Sequence, residues 1–267
     1  MKRSSIQIAI AAWGVAIAVV LLGPLLGDLL MDARPPQHGA ITEEDLRKLN
    51  WNYGPGTFSI DSSNAVVRAG DSQVFVQGQS AREFMRLNTG NSNSRPDAVA
   101  YTFEGPSKSS AVLYTYYDVG HVKMDDWQTQ INQDALLFDI KKLAVEDNKR
   151  RARGYSDIVV DEWIQTPATD PQIPAAYWAY KYHSGRGQQY VTAGAIMLSR
   201  NGYSAIQWIG SPQQFRGVRQ TLDPAIEAYR LPEGQRYADY KPGTDKVAKA
   251  GLGEIIVDLL TGSSSSE

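Results

Sequence analysis

Three pieces of the chain decide how it folds: the stretch Ser110-Ala-Val-Leu-Tyr-Thr-Tyr-Tyr117, the turn Asp118-Val-Gly-His-Val-Lys-Met-Asp-Asp126, and the segment that runs on to Trp163. The first is rich in aromatic and β-branched residues, which suit a pleated, half-buried surface. A helix is predicted over 129–153, because Leu136, Ile140 and Leu143 recur at i, i+4 and i+7 and Gly154 stands where a C-cap is expected. A second strand is predicted over 157–165. A strand, a covering helix and a returning strand form the unit that the rest of the chain extends.

Working outward, strands are expected over 57–60, 64–69, 72–77, 98–104, 175–183, 188–200 and 203–209. Asn201-Gly202 is the strongest hairpin signal, and Gly70-Asp71 reads as a type II′ turn joining 64–69 to 72–77. Gly105-Pro-Ser-Lys-Ser109 and Ser184-Gly-Arg-Gly187 read as two further hairpin connections. Thr42 is placed to cap a short helix ending near Leu49. Ser80-Ala-Arg-Glu83 has the form of a capping box, with Phe84 and Leu87 facing inward before Asn88-Thr-Gly90 ends the helix. Ser211-Pro-Gln-Gln214 is expected to open another helix, with Phe215, Val218 and Leu222 as its buried stripe until Pro224 interrupts it. The fold class is therefore α+β, a mostly antiparallel sheet with inserted amphipathic helices, preceded by one N-terminal transmembrane helix.

Composition narrows the role. The chain has 267 residues, 42% hydrophobic and 21% charged, enough for one sizeable core. A net charge of -2 offers no concentrated excess of cations for phosphates, so nucleic acid is not an expected partner. With no cysteine, thiol catalysis and thiolate metal sites are excluded. No dinucleotide or phosphate-loop fingerprint is present and no cofactor is expected.

Location is read from the front of the chain. No charged residue occurs over 6–27, about 22 residues and about 33 Å as a helix, enough to cross a bilayer. Lys2 and Arg3 precede this run and Asp28 and Asp32 follow it, which puts the N-terminus in the cytoplasm and the remainder outside. Met31-Asp32-Ala33 is a poor cleavage site because Met stands where a small residue is needed. The expected location is a single-pass bacterial inner-membrane protein with its main domain in the periplasm. The expected division is 1–31 cytoplasmic tip and anchor, 32–50 linker and short helix, 51–235 periplasmic domain, and 236–267 C-terminal amphipathic helix and disordered tail. That last helix is predicted from Thr244, with Leu252, Ile255, Ile256 and Leu259 at helical spacing.

The densest cluster of ionisable groups is Asp118, His121, Asp125 and Asp126. Carboxylates and an imidazole on one loop suit a divalent cation or acid-base chemistry. The plainer reading makes the acids turn and cap residues and the histidine a polar surface group. Residues 149–153, with Arg150 and Arg151 among them, read either as an anion or lipid-headgroup site or as cations complementing the helix dipole. Arg236, Asp239 and Asp245 read as a surface ion-pair network. Aromatics crowd into two strands as Tyr114, Tyr116, Tyr117, Tyr177, Trp178, Tyr180 and Tyr182. Adjacent strand residues face opposite ways, so the sheet is either covered on both faces or presents an aromatic surface to a partner or glycan.

The motifs Gly120-His-Val-Lys-Met-Asp-Asp126, Asn148 followed by arginines and Gly154-Tyr155, the Trp163 strand, and Arg236-Tyr-Ala-Asp-Tyr240 with Asp245-Lys-Val-Ala248 carry a family resemblance. Over about 51–251 the chain resembles the bacterial family called domain of unknown function 2167, of membrane-anchored proteins. The resemblance implies an envelope location and supplies no reaction. Relatives have Tyr where His121 stands and an acid where Met124 stands, and they continue into a C-terminal membrane segment where this chain keeps its apolar run at the front.

These readings lead to a non-enzymatic module, an accessory or assembly subunit of an inner-membrane protein complex, held to the lipid bilayer by its N-terminal helix. Its expected contact residues are Tyr116, Trp178, Tyr180, Arg150, Arg151, Ile255 and Leu259. The alternatives are an envelope hydrolase or metal-dependent enzyme using Asp118, His121, Asp125 and Asp126, and small-ligand or glycan binding on the aromatic face, which requires a concave pocket there.

Overall fold

A computed structural model describes residues 43–262 apart from 92, 104–108, 126, 128–130, 153 and 171. The expected span over 6–27, the spacer, Thr42, the turn at 105–108, Asp126, the first turn of the helix predicted from 129, and the tail over 263–267 lie outside the described residues. Among the described residues no helix is long and apolar enough to cross a membrane.

The elements in order are α1 (Glu43–Arg47), β1 (Asn52–Tyr53), β2 (Gly56–Ile60), β3 (Ala65–Ala69), β4 (Gln73–Gln77), α2 (Gln79–Thr89), β5 (Ala98–Phe103), β6 (Ser109–Tyr117), α3 (Gln133–Arg150) and β7 (Ile158–Thr169). They continue with β8 (Ala175–Ser184), β9 (Gln189–Leu198), β10 (Tyr203–Gly210), α4 (Val218–Ala228), β11 (Tyr229–Arg230), a 3-10 turn (Tyr237–Asp239) and α5 (Leu252–Thr261). An eight-stranded sheet has the order β1-β4-β5-β6-β10-β9-β8-β7, and a three-stranded sheet the order β11-β3-β2. Every strand pair is antiparallel. This is the expected antiparallel α+β architecture.

Strand alternation divides the large sheet into two apolar faces. Phe75, Ala100, Val112, Tyr114, Tyr177, Ala195 and Ile206 meet the small sheet and α4 through Val67 and Leu222. On the opposite face α2 buries Phe84 and Met85 against Val76, Val99 and Leu113. There α3 sets Leu136 and Ile140 against Val160. On the same side α5 sets Leu252, Ile255 and Ile256 against Trp178, Ile196 and Tyr203. The molecule thus has three layers, with the aromatic strands shared between two interfaces.

Five local expectations are corrected. Strands β3 and β4 do not form a hairpin, because β3 pairs with β2 and β11 while β4 pairs with β1 and β5. Gly70 carries the chain from one sheet to the other instead of reversing it. Helix α2 starts one residue before Ser80, behind Gly78, and the Ser80 hydroxyl accepts a hydrogen bond from the Asn50 amide. Glu83 pairs with Arg86 at 2.6 Å. Helix α4 begins only after Gly217 and runs through Pro224 to Ala228. The 211–214 segment stays a turn, in which Gln214 Oε1 accepts from the Ser211 amide. The C-terminal helix starts at Leu252, not Thr244. Helix α3 is capped by Asn132, which accepts from the Ala135 amide, and it ends at Arg150, with Arg151 as its extended C-cap, before Gly154 is reached.

Candidate functional site

Asp118, His121 and Asp125, the described members of the histidine loop, do not assemble as a centre. His121 lies stacked between Tyr237 and Tyr240, with ring centroids 4.3 and 3.8 Å away, and its backbone bridges to Val247. Burial lowers its pKa below the ordinary imidazole value, opposed by Asp245 and a hydrogen bond with the Arg200 backbone. Asp118 and Asp125 are exposed, and Asp126 lies outside the described residues. Among the described residues no group of three or more His, Asp or Glu side chains is placed to hold a metal ion. The nearby ion pair is Arg200 with Asp245, two hydrogen bonds of 2.7 Å, which hold the Asp245 carboxyl down to about 2. Arg200 was not in the expected network, and Arg236 instead gives only its backbone amide to Asp239.

The basic run after α3 divides by role. Lys149 and Arg150 are exposed and pair with Glu146 and Asp147 at 2.6 and 2.9 Å. Arg151 turns inward, where Nη1 donates to the Thr89 carbonyl at the end of α2. Its Nε is buried with no partner, and burial lowers its pKa. Asn148, one turn earlier, donates from Nδ2 to the Ile158 carbonyl and accepts from the Ile158 amide, so that an amide side chain occupies the open edge of β7.

Arg151 stands on the wall of a cavity of about 290 Å³ between the large sheet and the helices α2, α3 and α5. Its sheet side carries Tyr180, Tyr182, Tyr190, Thr192 and Gln207, and its helix side carries Met85, Asn88, Ile140, Leu143 and Leu260. Cross-strand register makes this set: Tyr182 stands opposite Tyr190 and Tyr180 opposite Thr192. The Tyr182 and Tyr190 rings stack at 5.2 Å. Burial pushes the Tyr180 and Tyr182 hydroxyls up, and each also hydrogen-bonds Thr192. The Asn88 side chain donates to the Phe84 carbonyl while its Oδ1 is left buried without a partner.

The expected contact residues therefore scatter. Tyr180 lines the cavity, Trp178 and Ile255 are buried, and Leu259 packs partly against the same core. Tyr116 points to the other face, half-buried, and Arg150 is a surface ion pair. Trp178 and Ile255 are consequently not available to a partner. Sequence reasoning missed Asn88, Tyr190, Thr192 and Gln207, since only the strand register brings them beside Tyr180. The exposed large hydrophobics lie elsewhere: Phe138 (67%) and Val145 (55%) on α3, and Val159 (44%) and Ile164 (37%) on β7, four of the six among the described residues.

A family model described as protein of unknown function (DUF2167) matches residues 52–262. No curated protein matches the chain. Among solved structures, the solution structure of cyanobacterial PsbP (CyanoP) from Synechocystis sp. PCC 6803 is similar at 10% identity and a TM-score of 0.37, covering 66% of this chain and 92% of that one. That likeness is too loose to carry a role across.

Proposed function

Since the chain belongs to the DUF2167 family of proteins of unknown function, we propose from its own residues that it is a membrane-anchored periplasmic interaction module, an accessory or assembly subunit of an inner-membrane complex. The observation that carries this reading is the apolar corner of α3 and β7. Phe138 and Val145 are two helical turns apart and so share one side of α3, and both exceed half exposure. Val159, 44% exposed on the neighbouring edge strand, lines one groove with Val145. Apolar surface concentrated in one place marks contact with another protein more often than apolar residues scattered singly do.

Strand addition is not the expected mode. Strand β7 is the last strand of the large sheet, but register shifts interrupt it and Asn148 occupies its first open position. Bulges and plugged edges guard against pairing with a foreign strand. The partner instead lies across the side chains of α3 and β7. The test is purification of the full chain from gently solubilised membranes beside a Phe138→Glu, Val145→Glu variant. The native chain is expected to bring down stoichiometric membrane partners, and the variant to lose them with an unchanged melting temperature. Recovery of the native chain as a lone monomer in several mild detergents overturns the reading.

A further inference from the structure

Beyond the partner surface, we propose that the cavity between the large sheet and the helices α2, α3 and α5 binds a small aryl carboxylate that carries a hydrogen-bond donor beside its acid group. The argument starts from charge. Arg151 has no carboxylate within 4.0 Å among the described residues, and its Nε has no hydrogen-bond partner. The nearest acid in sequence, Asp147, pairs with Arg150 and accepts from Asn91. Asp147, which lines the same cavity, and Asp157 raise the Arg151 pKa from a distance without bonding to it, so this partly buried guanidinium has no bonded counter-ion, and an anion in the cavity supplies one.

A second orphan belongs to another residue of the same lining. Asn88 Oδ1 is a buried acceptor without a donor, and Asn88 precedes Thr89, whose carbonyl anchors Arg151. The cavity lining therefore includes one residue with an unused cationic donor and one with an unused neutral acceptor. A hydroxyl or amine next to a carboxylate answers both. Water alone satisfies the acceptor but leaves the cation without its charge partner.

The rest of the wall sets the body of the ligand. The stacked Tyr182 and Tyr190 rings, with Tyr180 beside them, provide flat aromatic surface. Ile140, Leu143 and Leu260 close the other side. A ring packs against such a surface in offset or edge-on geometry. A volume of about 290 Å³ sits at the small end of the roughly 300–1,000 Å³ range of ligand pockets, which fits a single ring with a short acidic arm.

The test uses the full chain in nanodiscs and 3-phenyllactate as the probe, titrated by calorimetry. Binding is expected in the micromolar to low millimolar range. Its neutral amide is expected to bind about tenfold or more weakly, the loss of one charge-assisted contact. Loss of similar size is expected for Arg151→Gln, with partial recovery in Arg151→Lys and no change in Arg150→Gln. Leu143→Trp, which fills the space, is expected to abolish binding. 3-Phenylpropionate, which lacks the hydroxyl, is expected to bind a few times more weakly. Absence of binding at 10 mM probe, equal affinity for acid and amide, or an unaffected Arg151→Gln variant overturns the proposal. Tighter binding of octanoate than of 3-phenyllactate overturns the aryl body and points to a lipid-derived acid. The acid–amide comparison needs no variant, so it stands even where a substitution disturbs folding.

Discussion

The two faces of the large sheet use the same aromatic strands to opposite ends. Under α4 and the small sheet, Tyr114, Tyr177 and Trp208 pack with alanines and branched aliphatics into one continuous core. Under α2, α3 and α5, apolar packing divides into three clusters, and a cavity lies between the sheet and those helices. Three separate helices of different lengths cover this second face, and residues from each line the gap over Tyr180, Tyr182 and Tyr190. One face supplies the interlocked contacts of an ordinary core, while the other gives up part of that packing to an open space lined by all three helices.

The largest effect expected separates the two faces directly. Leu222→Ala, at a fully buried position on α4, should cost about 2–5 kcal/mol, because the surrounding core cannot collapse into the space. Ile140→Ala, on the cavity wall, should cost at least about 1 kcal/mol less, since that side chain already lacks neighbours on one side. Equal losses in denaturant titrations would show that the cavity wall is as tightly held as the core and would erase the contrast.

The next effect shows that the second face is loose only locally. Gly194 faces Trp178 across β8 and β9, and a Cβ placed there would lie 2.4 Å from the indole ring. Gly194→Ala should therefore cost about 1–3 kcal/mol through overpacking, and it should leave the affinity of the cavity for an anion unchanged. A neutral Gly194→Ala would mean that Trp178 moves freely and that the looseness extends through the whole face.

Much of this architecture could be read from the chain, and the parts that could not share a cause. Asn201-Gly202 announced the β9–β10 hairpin because turn chemistry is local, and the 3.6-residue period over Leu136 and Ile140 announced α3 and its buried side. Alternation told that Tyr177 and Trp178 part company, but not what covers each. Gly70-Asp71 misled because the same residues serve a reversal or a crossing, and only pairing with distant β2 and β11 decides between them. The cavity had no signature in the chain at all. It depends on which of two adjacent arginines turns inward and on how far apart α2 and α3 settle, both consequences of packing between remote segments.

A smaller effect is expected at the border between the two readings of α3. Asn148→Ala removes both hydrogen bonds that hold the edge of β7 at Ile158, at a cost of about 1–2 kcal/mol for two partly solvated bonds. Hydrogen exchange at the Ile158 amide should rise more than at Tyr190, which sits one strand pair further in. Uniform acceleration across β7, β8 and β9 would instead make Asn148 a support for the whole cavity face.

The smallest effect concerns His121, at the rim of that face next to Val122 and α5. Its pKa is lowered by burial between Tyr237 and Tyr240, so the unfolded chain binds a proton more readily than the folded one. Its contribution is therefore intact above the ordinary imidazole value near 6.5 and is lost as pH falls below it. His121→Phe keeps the ring stack and removes both the titration and the unpartnered Nδ1. Stability of the variant should lie slightly below the native chain at pH 7.5, because the hydrogen bond to the Arg200 backbone is lost as well, and its decline between pH 7 and 5 should be shallower. Parallel declines in the two proteins would mean that acid acts through carboxylates alone, and that the aromatic clasp around His121 is indifferent to its charge.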